Sequence, residues 1–169
     1  MKPLFIAKFL FVALLAISTQ LFAQDVEPKI ELIPSGSLIK RGIALFDSAR
    51  YDEAALVFRQ VSRNDTAYGD AIYELAYTLE TQEKYDSALL LVREGMLLPG
   101  EKSNYYILMG NLFSKKGMPD SAVKVYDKGL KLFPYNYLLH FNRGIALMKQ
   151  KNYPEAEKAF IASSGRFLC

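Results

Sequence analysis

Apolar residues recur along this chain at helical spacing, in segments separated by short polar turns. From about residue 35 onwards they fall three and four positions apart, which places them on one face of an α-helix. The pattern predicts helices near residues 36–49, 52–63, 69–82, 86–98, 103–116, 119–132, 137–150 and 153–165. No segment keeps the strict alternation expected of a β-strand, so the pattern predicts an all-α protein.

The helical pattern itself repeats at a fixed step along the chain. The phrase Arg-Gly-Ile-Ala-Leu stands at residues 41–45 and again at 143–147, a separation of 102 residues that divides into three steps of 34. A small residue recurs at that step at Gly42, Ala76, Gly110 and Gly144. Glycine within a helix costs roughly 1 kcal/mol relative to alanine. Its recurrence therefore predicts a neighbouring helix that passes too close to leave room for a Cβ atom.

A second series with the same period marks the turn and the helix after it. The turn residue, an alanine three positions later and a bulky residue four positions after that are, in the four units, Tyr51, Ala54 and Phe58; Tyr85, Ala88 and Val92; Pro119, Ala122 and Tyr126; Tyr153, Ala156 and Phe160. The alanine and the bulky residue share one helix face because they are four residues apart. Each second helix is thus predicted to bring a small residue and a large one to its partner.

These positions resemble the tetratricopeptide repeat, a helix-turn-helix unit of about 34 residues that stacks into a superhelix. The resemblance runs from Ser35 to about Gly165, with repeats at about 35–68, 69–102, 103–136 and 137–169. It is incomplete at Arg41 and Arg143, where leucine is usual, and at Pro119, which replaces the turn tyrosine but is tolerated in a first helical turn. The resemblance implies a right-handed superhelical solenoid of four repeats that holds another protein or peptide, without identifying that partner.

In this family the binding residues lie on the concave wall formed mainly by the first helices. The matching positions here are Ile39, Ile43, Tyr73, Tyr77, Ile107, Asn111, Phe141 and Ile145. Members that grip the acidic carboxyl terminus of chaperones carry lysine and asparagine where this chain has Ile39 and Ile43, so that clamp is absent. The resemblance then implies a groove for the apolar stripe of an extended peptide or an amphipathic helix, with two tyrosines and Asn111 as hydrogen-bonding points.

An alternative interpretation is that these side chains only pack successive first helices together, or are covered by a segment of the same protein. The two interpretations predict different results for alanine at both Tyr73 and Tyr77. A ligand groove predicts that the fold survives and that partner binding weakens. Collapse of the fold would assign the tyrosines to the core.

The amino-terminal segment has the layout of a secretory signal peptide. Lys2 and Lys8 precede the apolar run 9–17, and polar residues and a small-residue site at Ala23 follow it. Nine apolar residues extend only about 14 Å as a helix, against roughly 30 Å of hydrocarbon in a membrane. We predict cleavage after residue 23, a linker at 24–34, and an exported protein that is periplasmic or secreted.

The charge balance argues against a nucleic-acid partner. The chain has 21 Lys and Arg against 18 Asp and Glu. Removal of residues 1–23 takes two lysines and no acid, which leaves 21 − 2 = 19 positive and 18 negative charges, or +1. Nucleic-acid binding needs a clustered excess of basic residues to meet the phosphates. We predict a protein or peptide partner instead.

Residues for catalysis or metal binding are scarce. There is one histidine and one cysteine, and no Cys-x-x-Cys pair, glycine-rich phosphate loop or Gly-x-Ser-x-Gly elbow. His140 stands at a packing position, and the acids Glu74, Glu80 and Glu83 are interpreted as solvent-facing charges. The sequence therefore predicts no enzymatic activity, no cofactor, no metal site and no small-molecule substrate.

The carboxyl-terminal end lacks the polar closing helix that such stacks usually carry. We expect an open apolar edge at which Phe160 faces water, and a partner or a second copy that stacks there. Cys169 has no cysteine to pair with inside the chain.

Three functions remain open. One is an extracytoplasmic adaptor of the cell envelope, another is the amino-terminal docking or sensing domain of a longer enzyme or signalling protein, and the last is a structural stack that self-associates.

Overall fold

The computed structural model describes residues 33–100 and 102–165, and across these ranges the chain forms eight helices and no strand. The helices are α1 (Ser35–Asp47), α2 (Tyr51–Phe58), α3 (Tyr68–Thr81), α4 (Tyr85–Met96), α5 (Ser103–Lys115), α6 (Pro119–Leu132), α7 (Tyr137–Lys149) and α8 (Tyr153–Ser163). The all-α prediction is confirmed. The predicted signal peptide at 1–23 and the residues 166–169 lie outside the described ranges.

The helices pack as four consecutive pairs. Each odd-numbered helix contacts the even-numbered helix that follows it, and each even-numbered helix contacts the next odd-numbered one. The odd-numbered, or first, helices also contact one another in sequence, α1 with α3, α3 with α5 and α5 with α7. The result is a solenoid whose first helices form one continuous wall.

The predicted second helix at 52–63 is wrong at its carboxyl end, because α2 stops at Phe58. Beyond it the amides of Gln60 and Val61 bond to carbonyls three residues back, so the backbone tightens out of the α-helical pattern. The Asp65 carboxylate then accepts a bond of 2.8 Å from the Ala67 amide and fixes the loop before α3. Val61 is still buried, so this loop keeps an apolar anchor in the core.

The turns inside the four pairs share one backbone geometry. Ala49, Glu83, Gly117 and Lys151, which stand at equivalent positions of the four repeats, all adopt the left-handed conformation with φ between 58° and 73°. The next residue donates its amide to a carbonyl five positions back, as Lys84 does to Leu79 at 2.9 Å. This arrangement closes the helix end and directs the chain into the second helix.

Helix pairs approach closely because a ring occupies the place of a missing side chain. A Cβ atom at Gly110 would lie 2.2 Å from Cε1 of Tyr126, and one at Gly42 would lie 2.4 Å from Cε1 of Phe58. The second unit has Ala76 instead of glycine, and the residue at the ring position there is Val92. Each unit therefore matches a smaller residue on the first helix with a larger one on the second.

The same matching of sizes joins neighbouring repeats. Val61 packs with the small Ala71 of the next unit. In the following unit Gly95 stands at the position of Val61, and Tyr105 stands at the position of Ala71. A Cβ atom added at Gly95 would lie 2.2 Å from Cε1 of Tyr105. Alternation of large and small partners keeps the interface filled in every unit without a constant residue at either position.

A polar contact links neighbouring repeats on the surface at a spacing of 30 residues. The side chain of Gln82 donates to Asp52 at 2.9 Å, that of Lys116 donates to Asp86, and that of Gln150 donates to Asp120 at 2.7 Å. The matching position in the fourth repeat is Pro154, which has no side-chain acceptor. Exposed contacts of this kind add little stability, but their regular spacing is consistent with one register between units.

The two arginines at leucine positions have different surroundings. Arg143 donates from Nε to the Asp127 carboxylate at 2.6 Å, which pairs its charge across α6 and α7. Arg41 is exposed.

Replacement of Gly110 by alanine should destabilise the fold by about 3 kcal/mol, because the new methyl group would overlap the Tyr126 ring. The double variant Gly110→Ala/Tyr126→Val reproduces the pairing of Ala76 with Val92. It should therefore cost about 2 kcal/mol less than the sum of the two single changes. Urea unfolding followed by circular dichroism measures all three values.

Gly36→Ala is the matched control, because a Cβ atom there has no neighbour within 4 Å. It should be neutral or stabilising by about 0.5 kcal/mol. Simple additivity of the two changes at 110 and 126 would contradict the size-matching explanation.

Candidate binding groove on the first helices

The eight sequence-predicted groove residues all lie on first helices, two on each and four positions apart. Four of them are exposed, namely Ile43, Tyr77, Phe141 and Ile145, with 38% to 45% of their surface accessible. The other four, Ile39, Tyr73, Ile107 and Asn111, are half-buried. We use "the groove" for the surface of the first helices that these eight residues line.

Tyr73 and Tyr77 have different environments. The Tyr73 ring meets Tyr105 of the next repeat edge-on, with 5.7 Å between ring centroids, and it packs against the main core cluster. Burial raises the pKa of Tyr73 above its usual value, as does the nearby Glu74 carboxylate. Tyr77 is 42% exposed and lies 5.3 Å from the Phe46 ring of the preceding repeat. Tyr73 therefore serves packing, while Tyr77 presents an open aromatic face.

Asn111 is fixed by a contact within its own repeat. The Tyr126 hydroxyl donates to its side-chain oxygen at 2.8 Å, and burial raises the Tyr126 pKa well above its usual range. The tyrosine that fills the space beside Gly110 thus also orients Asn111. The NH2 group and the second lone pair of the oxygen can both bond to a ligand.

The exposed apolar surface on α7 is longer than the sequence pattern predicted. Leu138 and Met148 continue the line of Phe141 and Ile145 on one face of this helix, and they are 40% and 47% exposed. Their spacing of three, four and three residues was visible in the sequence. It was missed because only two positions per helix were carried over from the family.

Acidic residues occupy the opposite half of the groove, and two expectations for them were wrong. Glu80 is only 4% exposed rather than solvent-facing, and its carboxylate pairs with Lys115 of α5 at 3.2 Å. Glu74 is half-buried. Burial raises its pKa, and the carboxylates of Asp70 and Asp47 add to the effect. Glu80 is therefore paired across α3 and α5, whereas Glu74 is surrounded by other carboxylates.

The edge formed by α7 and α8 is apolar but less open than predicted. The Phe160 ring covers Gly144 and lies 5.7 Å from the Phe141 ring, so it is half-buried and not free in water. Next to it, Met148 and Tyr153 border an open cavity of about 500 Å³. The tail residues 166–169, including Cys169, lie outside the described ranges.

A second cavity, of about 340 Å³, lies between the loop before α3 and the loop before α5. Its two cationic side chains are already paired, Arg63 with Glu94 at 3.0 Å and Lys102 with Asp70 at 2.6 Å. Neither of these two side chains is therefore an unpaired cation available to a ligand.

No group of three or more His, Cys, Asp or Glu residues is placed to hold a metal ion within the described ranges. His140 Nε2 lies 2.8 Å from the carbonyl oxygen of Pro134 and donates to it, which is a structural contact. In the same ranges none of the helices is both long and apolar enough to cross a bilayer.

Comparison with known proteins gives matches over most of the chain. The family model described as "Tetratricopeptide repeat" matches residues 39–95 and 107–164. A TPR repeat-containing protein of Methanocaldococcus jannaschii is 25% identical over 135 residues, which are 76% of this chain and 24% of that protein. RNA polymerase II-associated protein 3 of Xenopus tropicalis is 34% identical over 64 residues, 38% of this chain and 10% of that protein. The chain spans a quarter or less of the length of these relatives.

Solved structures share the architecture at low sequence identity. A crystal structure of MamA superposes with a TM-score of 0.67 at 20% identity, covering 78% of this chain and 77% of that chain. A fragment of MamA from Desulfovibrio magneticus also gives 0.67 at 20% identity, with 79% and 75% covered. PcrH in complex with the chaperone binding region of PopB gives 0.57 at 15% identity, with 63% and 86% covered. These likenesses show the fold.

The contrast between the two tyrosines predicts unequal effects of alanine on stability. Tyr73→Ala should cost about 2 kcal/mol, because it opens a space beside Tyr105 in the core. Tyr77→Ala should cost less than about 1 kcal/mol, since its ring is largely open to solvent. Thermal and urea unfolding of the single variants measures this difference, and equal costs would show that Tyr77 is also part of the core.

Proposed function

Because the chain belongs to the tetratricopeptide repeat family, we propose that it is a non-enzymatic adaptor that binds a peptide or helix of another protein in the groove. The observation that carries the proposal is the row of large apolar side chains exposed on the first helices. Ile43, Tyr77, Phe141 and Ile145 are all more than a third exposed. Apolar surface gathered on one face of a stack favours a protein ligand, because its burial is the main source of binding energy.

The chemistry of the described residues supports binding rather than catalysis. The groove offers aromatic and aliphatic side chains, one amide and carboxylates, without a paired nucleophile and base. PcrH, whose fold is similar, holds the chaperone binding region of PopB, which illustrates a segment of one protein held by such a stack.

We also propose that the adaptor is exported and acts in the cell envelope. The support is the sequence of residues 1–23, with its two lysines, its apolar run and the small residue at the expected cleavage site.

A docking domain within a longer protein is the second candidate. The two curated relatives are at least four times longer than their matching parts, which favours repeats of this kind as one region of a larger polypeptide. In that case the groove would still bind a protein segment, but as one region of a longer polypeptide.

A photo-reactive amino acid in place of Tyr77 should cross-link a specific protein in the native cells. Its matched control is the same substitution at Leu90 on a second helix, a position that is 66% exposed. We expect a band that depends on position 77, and that is absent at position 90 and reduced by Ile145→Ser. Equal capture at both positions would argue against the groove.

Export predicts a defined mass change. The protein purified from its native cells should lack residues 1–23, as measured by intact mass spectrometry. Retention of residues 1–23 would contradict cleavage. A mass beyond that of the present chain would favour the docking-domain candidate.

A further inference from the structure

The groove has a patch of acidic side chains at one end, which we call the acidic patch and which consists of Glu74, Asp70 and Asp47. Glu74 on α3 lies one helical turn from Asp70 and one from Tyr77, so these side chains share a face. Asp47, the last residue of α1, follows Phe46, whose ring contacts Tyr77. The Asp47 carboxylate contributes to the raised pKa of Glu74. The rings of Phe46 and Tyr77, with 5.3 Å between centroids, border the same region. Carboxylates and an open aromatic face thus occur together between the first two repeats.

The acids of this region differ in whether they have a cation. Asp70 pairs with Lys102 at 2.6 Å, and Glu80 pairs with Lys115 at 3.2 Å. Across residues 33–100 and 102–165, neither Glu74 nor Asp47 has an ion pair or a hydrogen-bonding donor for its carboxylate. Among the described residues, no side chain therefore pairs with either of these two carboxylates.

Folding disfavours the charged form of the Glu74 carboxyl group. Burial raises the pKa of its carboxyl group above the ordinary 4.5, and Asp70 and Asp47 raise it further. A raised pKa in the folded state means that Glu74 contributes stability below pH 4.5, and that this contribution is lost as the pH rises through the folded-state pKa. A nearby cation would stabilise the charged form of this side chain.

The other end of the groove is apolar. Leu138, Phe141, Ile145 and Met148 form one exposed line on α7. Arg143 of the same helix is paired with Asp127 of α6, and a lysine ends each of α5 and α7. Charge and hydrophobicity are thus separated along the wall, with acids at α1 and α3 and apolar side chains at α7.

From this separation we propose that the occupant of the groove is a partner segment with a lysine or arginine that lies between Glu74 and Asp47 and with large apolar side chains that lie on α7. The cation binds the two carboxylates and rests on the Tyr77 ring, which attracts a positive charge through its π-electrons. The inference rests on the proposed function and specifies the chemistry of the partner. It also excludes acidic peptides, which the acidic patch would repel.

The geometry sets the spacing within the partner segment. Packed helices lie about 8–10 Å apart, and two such spacings separate α3 from α7. The acidic patch and the apolar line on α7 are therefore separated by roughly 20 Å. An extended chain covers that distance in about six residues. The basic and apolar parts of an extended partner should therefore be separated by about six residues.

Synthetic peptides test the proposal directly. The main probe is a fluorescein-labelled peptide with two lysines, a spacer of about six residues and a Leu-Phe-Leu segment. In two companion peptides glutamine or glutamate replaces the lysines. Fluorescence anisotropy with the full chain should show that the lysine peptide binds about tenfold more tightly than the glutamine peptide, and that the glutamate peptide binds most weakly.

Variants of the protein locate the effect. Glu74→Gln should lower the affinity for the lysine peptide by about tenfold and leave the affinity for the glutamine peptide unchanged. The same variant should raise Tm by a few degrees, because it removes an unneutralised charge. Glu157→Gln, an exposed acid on α8, is the matched control and should change neither binding nor Tm. Leu138→Ser should weaken all three peptides alike.

The outcomes separate this inference from the proposed function. Equal binding of the lysine and glutamine peptides would overturn the inference and leave groove binding intact. A higher Tm for Glu74→Gln with unchanged preference for lysine would show that the acid has only a structural effect, which also overturns it. Tighter peptide binding on dilution of the protein would assign the groove to a second copy and overturn it as well. If none of the peptides binds, the inference is wrong, and the cross-linking experiment at position 77 decides the proposed function separately.

Discussion

The close approach of two helices within each pair is the constraint on which the rest of this structure depends. It exists because a ring from the second helix occupies the volume that a Cβ atom at Gly42, Gly110 or Gly144 would need. The helical cost of each glycine, roughly 1 kcal/mol, is offset by the burial of an aromatic side chain. The chain satisfies the same constraint with Ala76 and Val92, so the constant feature is the match in size between the two residues rather than the identity of either.

Close pairs also determine where the groove lies. Because second helices pack tightly behind the first helices, successive first helices contact each other and form an unbroken wall. The ring that fills the space in the third repeat, Tyr126, at the same time bonds to Asn111 and fixes its amide on that wall. Packing and presentation are coupled here through a single side chain. A substitution that changes the packing between α5 and α6 should therefore also change the groove surface at Asn111.

The repeat period made the fold predictable from sequence, since glycine, alanine and aromatic positions recur regardless of what the groove binds. The end of α2 was not predictable from helical periodicity, because Val61 keeps the apolar pattern after the backbone has left the α-helix. For the groove, the sequence predicted which positions line it but not how exposed each side chain is. Whether Tyr73 belongs to the core depends on Tyr105 in the next repeat, and the burial of Glu80 depends on Lys115, also in the next repeat. The residue pattern within one helix does not show which residue of the next repeat a side chain contacts.

The acids at α1 and α3 illustrate what the repeat architecture leaves free. None of the size-matching contacts involves Glu74 or Asp47, so packing does not require a carboxylate at either position. Glutamine at position 74 would keep nearly the same volume and remove the charge that burial and the neighbouring carboxylates disfavour. A half-buried carboxylate without a cationic partner is explained by a contact formed outside the free protein. In the proposed complex a cationic side chain of the partner supplies that contact, and the apolar line on α7 supplies the remaining buried area.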